Sequence, residues 1–261
     1  MIDQTLIFDV GAHSGEDTEF YLKKGFKVVA VDAAPDHCAA LSDRLGEYID
    51  AGRLQVLNLC IAETSGVVDF FVNEGNSFWS TADPSWVARN DEAFGKQSVR
   101  TIRVQAEPLV DLFREFGTPR YCKIDIEGAD LIALRSLAGL ADFPPFLSLE
   151  SEKRSWDALV REFLTLGDFG YRRFKLINQS LVPFQAAPTP PLEGMACDHA
   201  FSIGCSGLFG EELPGRWLDA FEAIEAYKTI FLGYFLNGDH GVYRGNPQLP
   251  APDWYDTHAA R

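Results

Sequence analysis

Three short apolar runs separated by helix-like segments open the chain. The runs cover residues 5–10, 27–32 and 53–62, and the helix-like segments cover Asp17–Lys24 and Asp36–Ala51. Apolar runs of this length, without polar alternation, are typical of strands buried on both faces. Because the connections are short, this order predicts a parallel sheet wound by right-handed crossovers. We therefore expect a doubly wound α/β fold.

After residue 62 the pattern changes. We expect strands at 66–73 and 99–105, a helix at 109–116, a strand, acid, glycine and helix within 121–137, a strand at 145–152 and a helix at 155–166. A closing pair of strands is expected at 170–178 and 180–185. No clear helix is predicted between the strands at 66–73 and 99–105, where a polar and aromatic loop contains Ser77, Trp79 and Ser80.

A Pro-rich stretch at 186–191 marks the beginning of a different region. Beyond it, apolar side chains from Trp217 to Phe235 recur at helical spacing, which predicts one long amphipathic helix ending near Leu236. Its apolar side is expected to pack on the sheet or on a partner subunit. We therefore predict a first domain over residues 1–185 and, over 186–261, a C-terminal loop and helical appendage packed on that domain.

Charge and cysteine content narrow the functional classes. The 261 residues include 38 Asp and Glu but only 23 Lys and Arg, a formal net charge of −15. Such an excess repels a phosphate backbone, so no nucleic-acid partner is expected. The five cysteines contain no C-x-x-C pair, which predicts reduced thiols. Since no signal peptide and no apolar stretch of about 18 residues is found, we expect a cytoplasmic protein without a membrane partner.

The sequence FDVGAHSGED follows the first predicted strand and contains Asp9, Gly11, His13 and Gly15. Glycines there let the backbone approach a ligand at the carboxyl end of the strand. The pattern D-x-G-x-x-x-G is not the G-x-G-x-x-G of dinucleotide-binding turns. A tight strand-to-helix turn without a ligand is the structural alternative.

Acidic residues near this turn indicate which nucleotide cofactor it would bind. Glu16 and Asp17, in the first helical turn, would repel a diphosphate but accept a cationic tail. Asp32 ends the second strand, where a carboxylate can accept both hydroxyls of a ribose. Together they favour S-adenosylmethionine over NAD. Ala33 beside Asp32, and Ile61 and Ala62 after the third strand, are the further predicted cofactor contacts.

Three stretches, FDVGAHSGED, VVAVDAAP and CKIDIEGADLIALRSL, resemble the signature blocks of the FkbM-type methyltransferases, a branch of the class I S-adenosylmethionine-dependent enzymes. The resemblance implies a Rossmann-like, mostly parallel seven-stranded sheet with one antiparallel strand, in a methyltransferase domain over residues 1–185. It also implies O-methylation of sugars or natural products. Asp32 departs from the Glu common in the family, and His13 stands where Asn is frequent. The tail WYDTHA at 254–259 is also similar to tails in this group.

Carboxylates at two further strand ends are the predicted catalytic groups. Asp125 and Glu127 follow the fourth strand, on the expected cofactor side, and Glu150 and Glu152 follow the fifth. A hydroxyl needs a base or a metal before it becomes a good nucleophile. Asp125 is assigned to both catalysis and cofactor binding. A divalent metal shared by these carboxylates is compatible with the chemistry, but the spacing does not support one, and no metal ligands are predicted.

Lys123 and two histidines have open roles. Lys123, two residues before Asp125, is predicted either to position the acceptor or to form an ion pair with Asp125 or Glu127. His199 is a candidate base on a covering loop, with a structural role as the alternative. Ser77, Trp79 and Ser80 are candidate contacts to the acceptor or to adenine. For His258, in the tail, packing is the expected role.

The leading hypothesis is an S-adenosylmethionine-dependent O-methyltransferase that acts on a small hydroxylated acceptor such as a sugar, glycan or polyketide. Two alternatives stay open: a nicotinamide-dependent oxidoreductase, and a non-catalytic binding protein on the same fold. The sequence does not fix the oligomeric state, and a homodimer is compatible with it.

Overall fold

A computed structural model gives the fold and describes residues 1–152, 155–238, 241–249 and 253–261. These residues form the strands β1 (Ile2–Val10), β2 (Lys27–Asp32), β3 (Leu54–Asn58), β4 (Cys60–Ile61), β5 (Gly66–Asn73), β6 (Val99–Glu107), β7 (Thr118–Ile124), β8 (Phe146–Glu150), β9 (Arg173–Asn178) and β10 (Tyr255–Ala260). The helices are α1 (Glu16–Lys23), α2 (Pro35–Arg44), α3 (Gly46–Asp50), α4 (Pro84–Phe94), α5 (Leu109–Phe116), α6 (Asp130–Ser136), α7 (Trp156–Asp168) and α8 (Ala220–Asn237).

The main sheet has seven strands in the order β3-β2-β1-β7-β8-β10-β9. All neighbouring pairs are parallel except those made by β10, which runs antiparallel to β8 and to β9. A second, three-stranded sheet has the order β4-β6-β5. The predicted fold, a doubly wound and mostly parallel seven-stranded sheet with one antiparallel strand, is confirmed.

Side chains of the central strands alternate between two apolar cores, one on each face of the sheet. On β1, Phe8 lies in a core with side chains of α5, α6, α7 and α8, whereas Ile7 lies in a core with side chains of α1, α2 and the segment 182–213. This two-sided burial is the reason that the strands read as continuous apolar runs.

Buried ion pairs hold the irregular segment 186–219 against the domain. Lys24 Nζ lies 2.7 Å from Glu212 Oε1, and both side chains are fully buried. Arg120 Nε lies 2.7 Å from Glu193 Oε2, which is also buried. Charges taken out of water need such partners, so these pairs fix the path of a segment that has little regular structure.

The structure corrects four expectations about the elements. Residues 180–185 are not a strand, since Gln179–Phe184 form a 3₁₀ helix, and the partner of β9 is β10, built from the tail. A helix, α4, lies between β5 and β6 where none was predicted. The helix expected over 36–51 is two helices, α2 and α3. The segment 186–261 adds a strand to the sheet as well as a loop and a helix, and the division at residue 185 stays a prediction.

Helices of the described residues are all too short or too polar to cross a membrane. The five cysteines are free thiols, and four of them are buried.

Candidate active site

A cleft of about 800 Å³ opens where the carboxyl ends of β1, β2 and β7 meet. The strand order reverses between β1 and β7, because chain order runs outward from β1 on one side and continues with β7 on the other. Ligands of open α/β sheets bind at such a point. Predicted residues that line the cleft are Gly11, His13, Glu16, Asp17, Asp32, Ala33, Ile61, Ser77, Ser80, Lys123, Asp125 and Glu127.

Gly11 brings the turn after β1 close to the end of β7. Its φ is +86°, and a Cβ at this position would lie 1.8 Å from the carbonyl oxygen of Asp125. No other residue fits there without moving one of the two strand ends. Gly15 is different, because it does not line the cleft. A Cβ at this position would lie 2.8 Å from Leu41 Cγ, so the glycine makes room for the Leu41 side chain. In this structure Gly15 therefore contributes to packing against α2 and not to the lining of the cleft.

The Asp32 carboxylate is held by backbone groups and lines the cleft. It accepts hydrogen bonds from the N–H of His13 at 2.9 Å and from the N–H of Ala34 at 2.8 Å. His37 Nδ1 lies 3.2 Å away. Each carboxylate oxygen has two lone pairs, so the group keeps acceptor capacity toward the cleft. The position matches the one predicted for binding a ribose diol.

Aromatic rings stack over the cleft. The His13 ring lies 4.3 Å from the Phe78 ring at an interplanar angle of 15°, and 4.1 Å from the His37 ring. His13 Nε2 is also 2.9 Å from Ser77 Oγ. His13 has a φ of +48°, which is uncommon for a residue with a side chain. Sequence reasoning missed His37 and Phe78, although His37 lies one helical turn beyond Asp32.

Lys123 lies at the centre of three aspartates below the cleft. Its Nζ is 3.3 Å from Asp9, 3.5 Å from Asp17 and 3.7 Å from Asp125, measured to carboxylate oxygens. Burial alone would lower the pKa of Lys123, but the carboxylates, Asp9 first, raise it well above its usual value. Lys123 therefore stays charged and cannot act as a base. Of its two predicted roles, the contacts favour the ion pair.

Asp9 and Asp17 are buried beside this ammonium. Asp9 is fully buried, accepts a hydrogen bond from Thr18 Oγ1 at 2.6 Å and does not line the cleft, so the direct cofactor contact predicted for it is not seen. Asp17 accepts the N–H groups of Ser206 and Gly207. Burial raises the pKa of Asp17 to about 6, against the lowering effect of Lys123. Glu16 lines the cleft and is the more exposed acid of this turn.

A second cavity, of about 1310 Å³, adjoins the cleft. Phe78, Asp125, Glu127 and Gly204 line both, so the two spaces meet at these residues. Its other walls include Trp79, Arg89, Asn90, Phe94, Glu150, Gln179, Tyr234, Asp253, Trp254 and Asp256. We call this space the acceptor cavity.

The predicted catalytic carboxylates come together where the cleft and the acceptor cavity meet. Oxygens of Asp125, Glu127 and Glu150 lie within 4.8 Å of one another. Glu127 has a φ of +50°. The Thr81 hydroxyl donates to its backbone carbonyl at 2.7 Å, and Trp86 Nε1 donates to its Oε2 at 2.8 Å. Burial raises the pKa of Asp125, against Lys123 and with the help of Glu150.

Two predicted residues lie elsewhere. His199 lines a separate surface hollow with residues such as Ala187 and Cys197, and its ring packs 5.2 Å from the Phe20 ring. His199 therefore lines neither the cleft nor the acceptor cavity, because the segment that carries it covers the outer side of α1. Ala62 does not line the cleft; its N–H donates to the Glu107 carbonyl at 3.1 Å, in the small sheet. Its neighbour Ile61 lines the cleft as predicted.

The residues of the cleft fit S-adenosylmethionine. Asp32 offers carboxylate oxygens at the position for a ribose, and Ile61, Phe70 and Cys60 give apolar walls suited to a base. Glu16 offers a negative charge for an amine at the helix that follows the glycine turn. The close approach at Gly11 leaves the backbone, rather than a side chain, facing the ligand.

Comparisons with known proteins find the same family that the three sequence blocks resemble. The family model of the methyltransferase FkbM domain matches residues 9–173. No curated protein resembles the sequence closely enough to count as a match. Among solved structures, the chain is similar to the methyltransferase FkbM from Methylobacillus flagellatus KT, with 20% identity and a TM-score of 0.45, over 68% of this chain and 41% of that one. This chain thus spans less than half the length of that protein.

Two further structures are similar over the whole chain. The precorrin-6y C5,15-methyltransferase from Geobacter metallireducens GS-15 has 11% identity and a TM-score of 0.41, with 100% of this chain and 82% of that one covered. A SAM-dependent methyltransferase from Geobacter sulfurreducens, in complex with S-adenosyl-L-homocysteine, has 11% identity and a TM-score of 0.37, with 100% and 85% covered.

Proposed function

The chain belongs to the FkbM methyltransferase family, and from this premise we propose that it is an S-adenosylmethionine-dependent O-methyltransferase. Its acceptor is a small hydroxylated molecule such as a sugar, a glycan or a polyketide. The observation that carries the proposal is the junction of the two cavities, where Asp125 and Glu127 line both the cleft beside Asp32 and the acceptor cavity.

The proposed cofactor contacts follow from the cleft. Asp32 binds the ribose hydroxyls, the turn at Gly11 passes beneath the cofactor, and Glu16 lies near its amine. Lys123 neutralises Asp9 and Asp17 and holds the ends of β1 and β7 together. When bound, S-adenosylmethionine supplies a methyl group on a sulfonium. The thioether that leaves is neutral and needs no activation by the protein.

The chemical task left to the protein is to position the acceptor hydroxyl and to take its proton. Asp125, Glu127 and Glu150 are the carboxylates at the boundary between the two cavities. A carboxylate whose pKa is raised toward neutrality is a better base than an ordinary one, and the pKa of Asp125 is shifted in that direction by burial. We assign the role of base to Asp125, with Glu127 and Glu150 positioning the hydroxyl.

The lining of the acceptor cavity supports a neutral polyol or a cationic acceptor. Aromatic rings of Phe78, Trp79 and Trp254 offer flat apolar surfaces, and amides and carboxylates beside them offer hydrogen bonds to hydroxyls. Of the described residues that line it, five carry carboxylates and one, Arg89, carries a cation. The Arg89 guanidinium lies over the Trp86 ring, 3.3 Å from its centroid. An anionic acceptor is therefore disfavoured.

Cofactor binding and methyl transfer test this proposal separately. Saturating S-adenosylmethionine should raise the melting temperature of the wild type, and Asp32→Ala should abolish the shift. Asp36→Ala is the matched control, since this nearby aspartate is 85% exposed. Labelled methyl should then enter a panel of neutral and amino sugars and polyketides. No shift in the wild type contradicts the proposal; a shift without methyl transfer to any acceptor supports the non-catalytic alternative.

A further inference from the structure

We propose that Asp125, Glu127 and Glu150 form a binding site for a divalent cation of the Mg²⁺ type, between the cofactor cleft and the acceptor cavity. Carboxylates are the ligands that such hard cations prefer in proteins. One oxygen from each of these three residues lies within 4.8 Å of the other two. Opposite ligands of an ion bound at about 2.1–2.5 Å lie about 4–5 Å apart, so only small side-chain movements are needed.

The three residues come from fixed points of the fold. Asp125 follows β7 directly, and its N–H donates to the Val10 carbonyl at 2.9 Å. Glu150 ends β8, the next strand of the sheet. Glu127 is fixed at both its carbonyl and its Oε2 by Thr81 and Trp86. Sites whose ligands are held in this way lose little entropy when an ion binds.

A fourth carboxylate gives an independent indication of a cation. Asp256 lies opposite Glu150 in the register of β8 and β10 and lines the acceptor cavity. It is 94% buried, being 6% exposed, and its carboxylate has no hydrogen bond or ion pair with any residue of the described chain. A buried carboxylate without a partner is costly. A cation in the neighbouring cluster would offset that cost.

Asn90 gives a second indication from α4. This α4 residue is 2% exposed and lines the same cavity, yet neither its amide nitrogen nor its amide oxygen has a hydrogen-bond partner within the described residues. Buried amides are nearly always hydrogen-bonded. Its oxygen suits a water of the ion's hydration shell, because Mg²⁺ usually keeps several waters when it binds to protein carboxylates.

Lys123 does not neutralise this cluster by itself. Its Nζ is closer to Asp9, at 3.3 Å, and to Asp17, at 3.5 Å, than to Asp125, at 3.7 Å. One ammonium therefore serves three aspartates, and a divalent cation would add positive charge beside it.

The catalytic role of this divalent cation rests on the proposed function. Three single carboxylate oxygens leave positions of an octahedral ion open for the acceptor hydroxyl and for water. With the ion bound, Asp125 would serve as a ligand rather than as the base, and the ion would lower the pKa of the bound hydroxyl, whose proton would pass to solvent. The oxygen then forms its bond to the methyl carbon, and the sulfur keeps the electron pair of the broken carbon–sulfur bond.

Manganese binding tests the site without any need for activity. Bound Mn²⁺ should be seen by electron paramagnetic resonance in the wild type and should be displaced by Mg²⁺. Glu150→Gln and Asp125→Asn should each weaken Mn²⁺ binding at least 10-fold, and Asp256→Asn should weaken it less. Glu47→Gln, which removes an exposed charge on α3, is the control for adventitious binding to an acidic protein. Equal affinity in Glu150→Gln and Glu47→Gln overturns the proposal.

A melting shift with S-adenosylmethionine separates this proposal from the preceding one. Glu150→Gln should keep the cofactor-induced shift, which shows that the variant is folded and that the cleft is intact. Specific Mn²⁺ binding without a cofactor shift in the wild type overturns the methyltransferase proposal alone. A cofactor shift without specific Mn²⁺ binding overturns the metal site alone.

Discussion

Ser206 donates its backbone N–H to both carboxylate oxygens of Asp17, at 3.0 Å each, although the two residues are 189 positions apart. Asp17 belongs to the helix that begins at the glycine turn, and Ser206 belongs to the long irregular segment after β9. The contact ties that segment to the floor of the cofactor cleft. Gly204, two residues earlier, lines both cavities, so Asp17 helps to shape the acceptor cavity from a distance.

Replacing Asp17 tests this tie. Asp17→Ala should increase hydrogen exchange at the Ser206 and Gly207 amides about 10- to 100-fold, because a hydrogen bond to a charged group contributes about 1.5–3 kcal/mol. Asp17→Asn keeps one acceptor oxygen and should show a smaller increase. Amide exchange followed by mass spectrometry or NMR measures both. Equal protection in Asp17→Ala and the wild type would show that other contacts hold the segment.

Gly11→Ala should remove cofactor binding and destabilise the fold. The added Cβ would lie 1.8 Å from the Asp125 carbonyl oxygen, so the ends of β1 and β7 must separate. Gly52→Ala is the matched control, because Gly52 also has a positive φ, +67°, but nothing lies within 4 Å of its added Cβ. The control should cost only about 1–2 kcal/mol, the strain of that conformation. Urea unfolding and the cofactor melting shift measure the difference, and similar losses in both variants would contradict the close approach.

Lys123→Met should be strongly destabilising at neutral pH. It removes the cation from three aspartates, and breaking a buried pair from one side costs about 3–5 kcal/mol. Part of the loss should return near pH 4, where Asp17, whose pKa burial raises to about 6, is protonated, and part in the double variant Lys123→Met with Asp9→Asn. Chemical denaturation at both pH values measures this. If the double variant is no more stable than Lys123→Met alone, the ion pair with Asp9 does not account for the loss.

Glu162 should make the free energy of unfolding fall as the pH rises. Burial raises its pKa from 4.5 to about 8, against a hydrogen bond from Thr257. Between these values the folded state binds more protons than the unfolded state, so stability is highest below pH 4.5 and is lost toward pH 8. The slope is at most about 1.4 kcal/mol per pH unit.

Glu162→Gln removes this titration. Its stability relative to the wild type should therefore increase from pH 5 to pH 8, as measured by denaturant unfolding at several pH values. Glu115→Gln, on the exposed side of α5, is the control. Parallel stability curves for Glu162→Gln and the wild type would contradict the burial of an ionisable carboxyl.

The parts of the site that sequence could predict are local. Gly11, Asp32 and Asp125 lie at ends of buried strands, and the strand pattern itself places those ends on one edge of the sheet. His13 and Ile61 follow from the same reasoning. The unbroken apolar runs also predicted that both faces of the strands are buried.

The parts that could not be predicted depend on contacts between distant segments. His199 has the chemistry of a base, but only the path of the segment 186–219 places it outside the site. Asp256 lies in the tail, and nothing in its sequence surroundings indicates that it lies opposite Glu150 on the adjacent strand. The buried pair of Lys24 and Glu212, which fixes that path, joins residues 188 positions apart.

The position of β10 between β8 and β9 also orders events during synthesis on the ribosome. β9 ends at Asn178, but the strand that joins it to the rest of the sheet begins at Tyr255. Until that strand has left the exit tunnel, β8 and β9 each have an open edge, which is where nascent chains associate wrongly with one another. The same strand brings Asp256, so a chain interrupted before it would lack both a closed sheet and part of the acceptor cavity. Closure of the sheet and completion of the acceptor cavity thus both depend on β10.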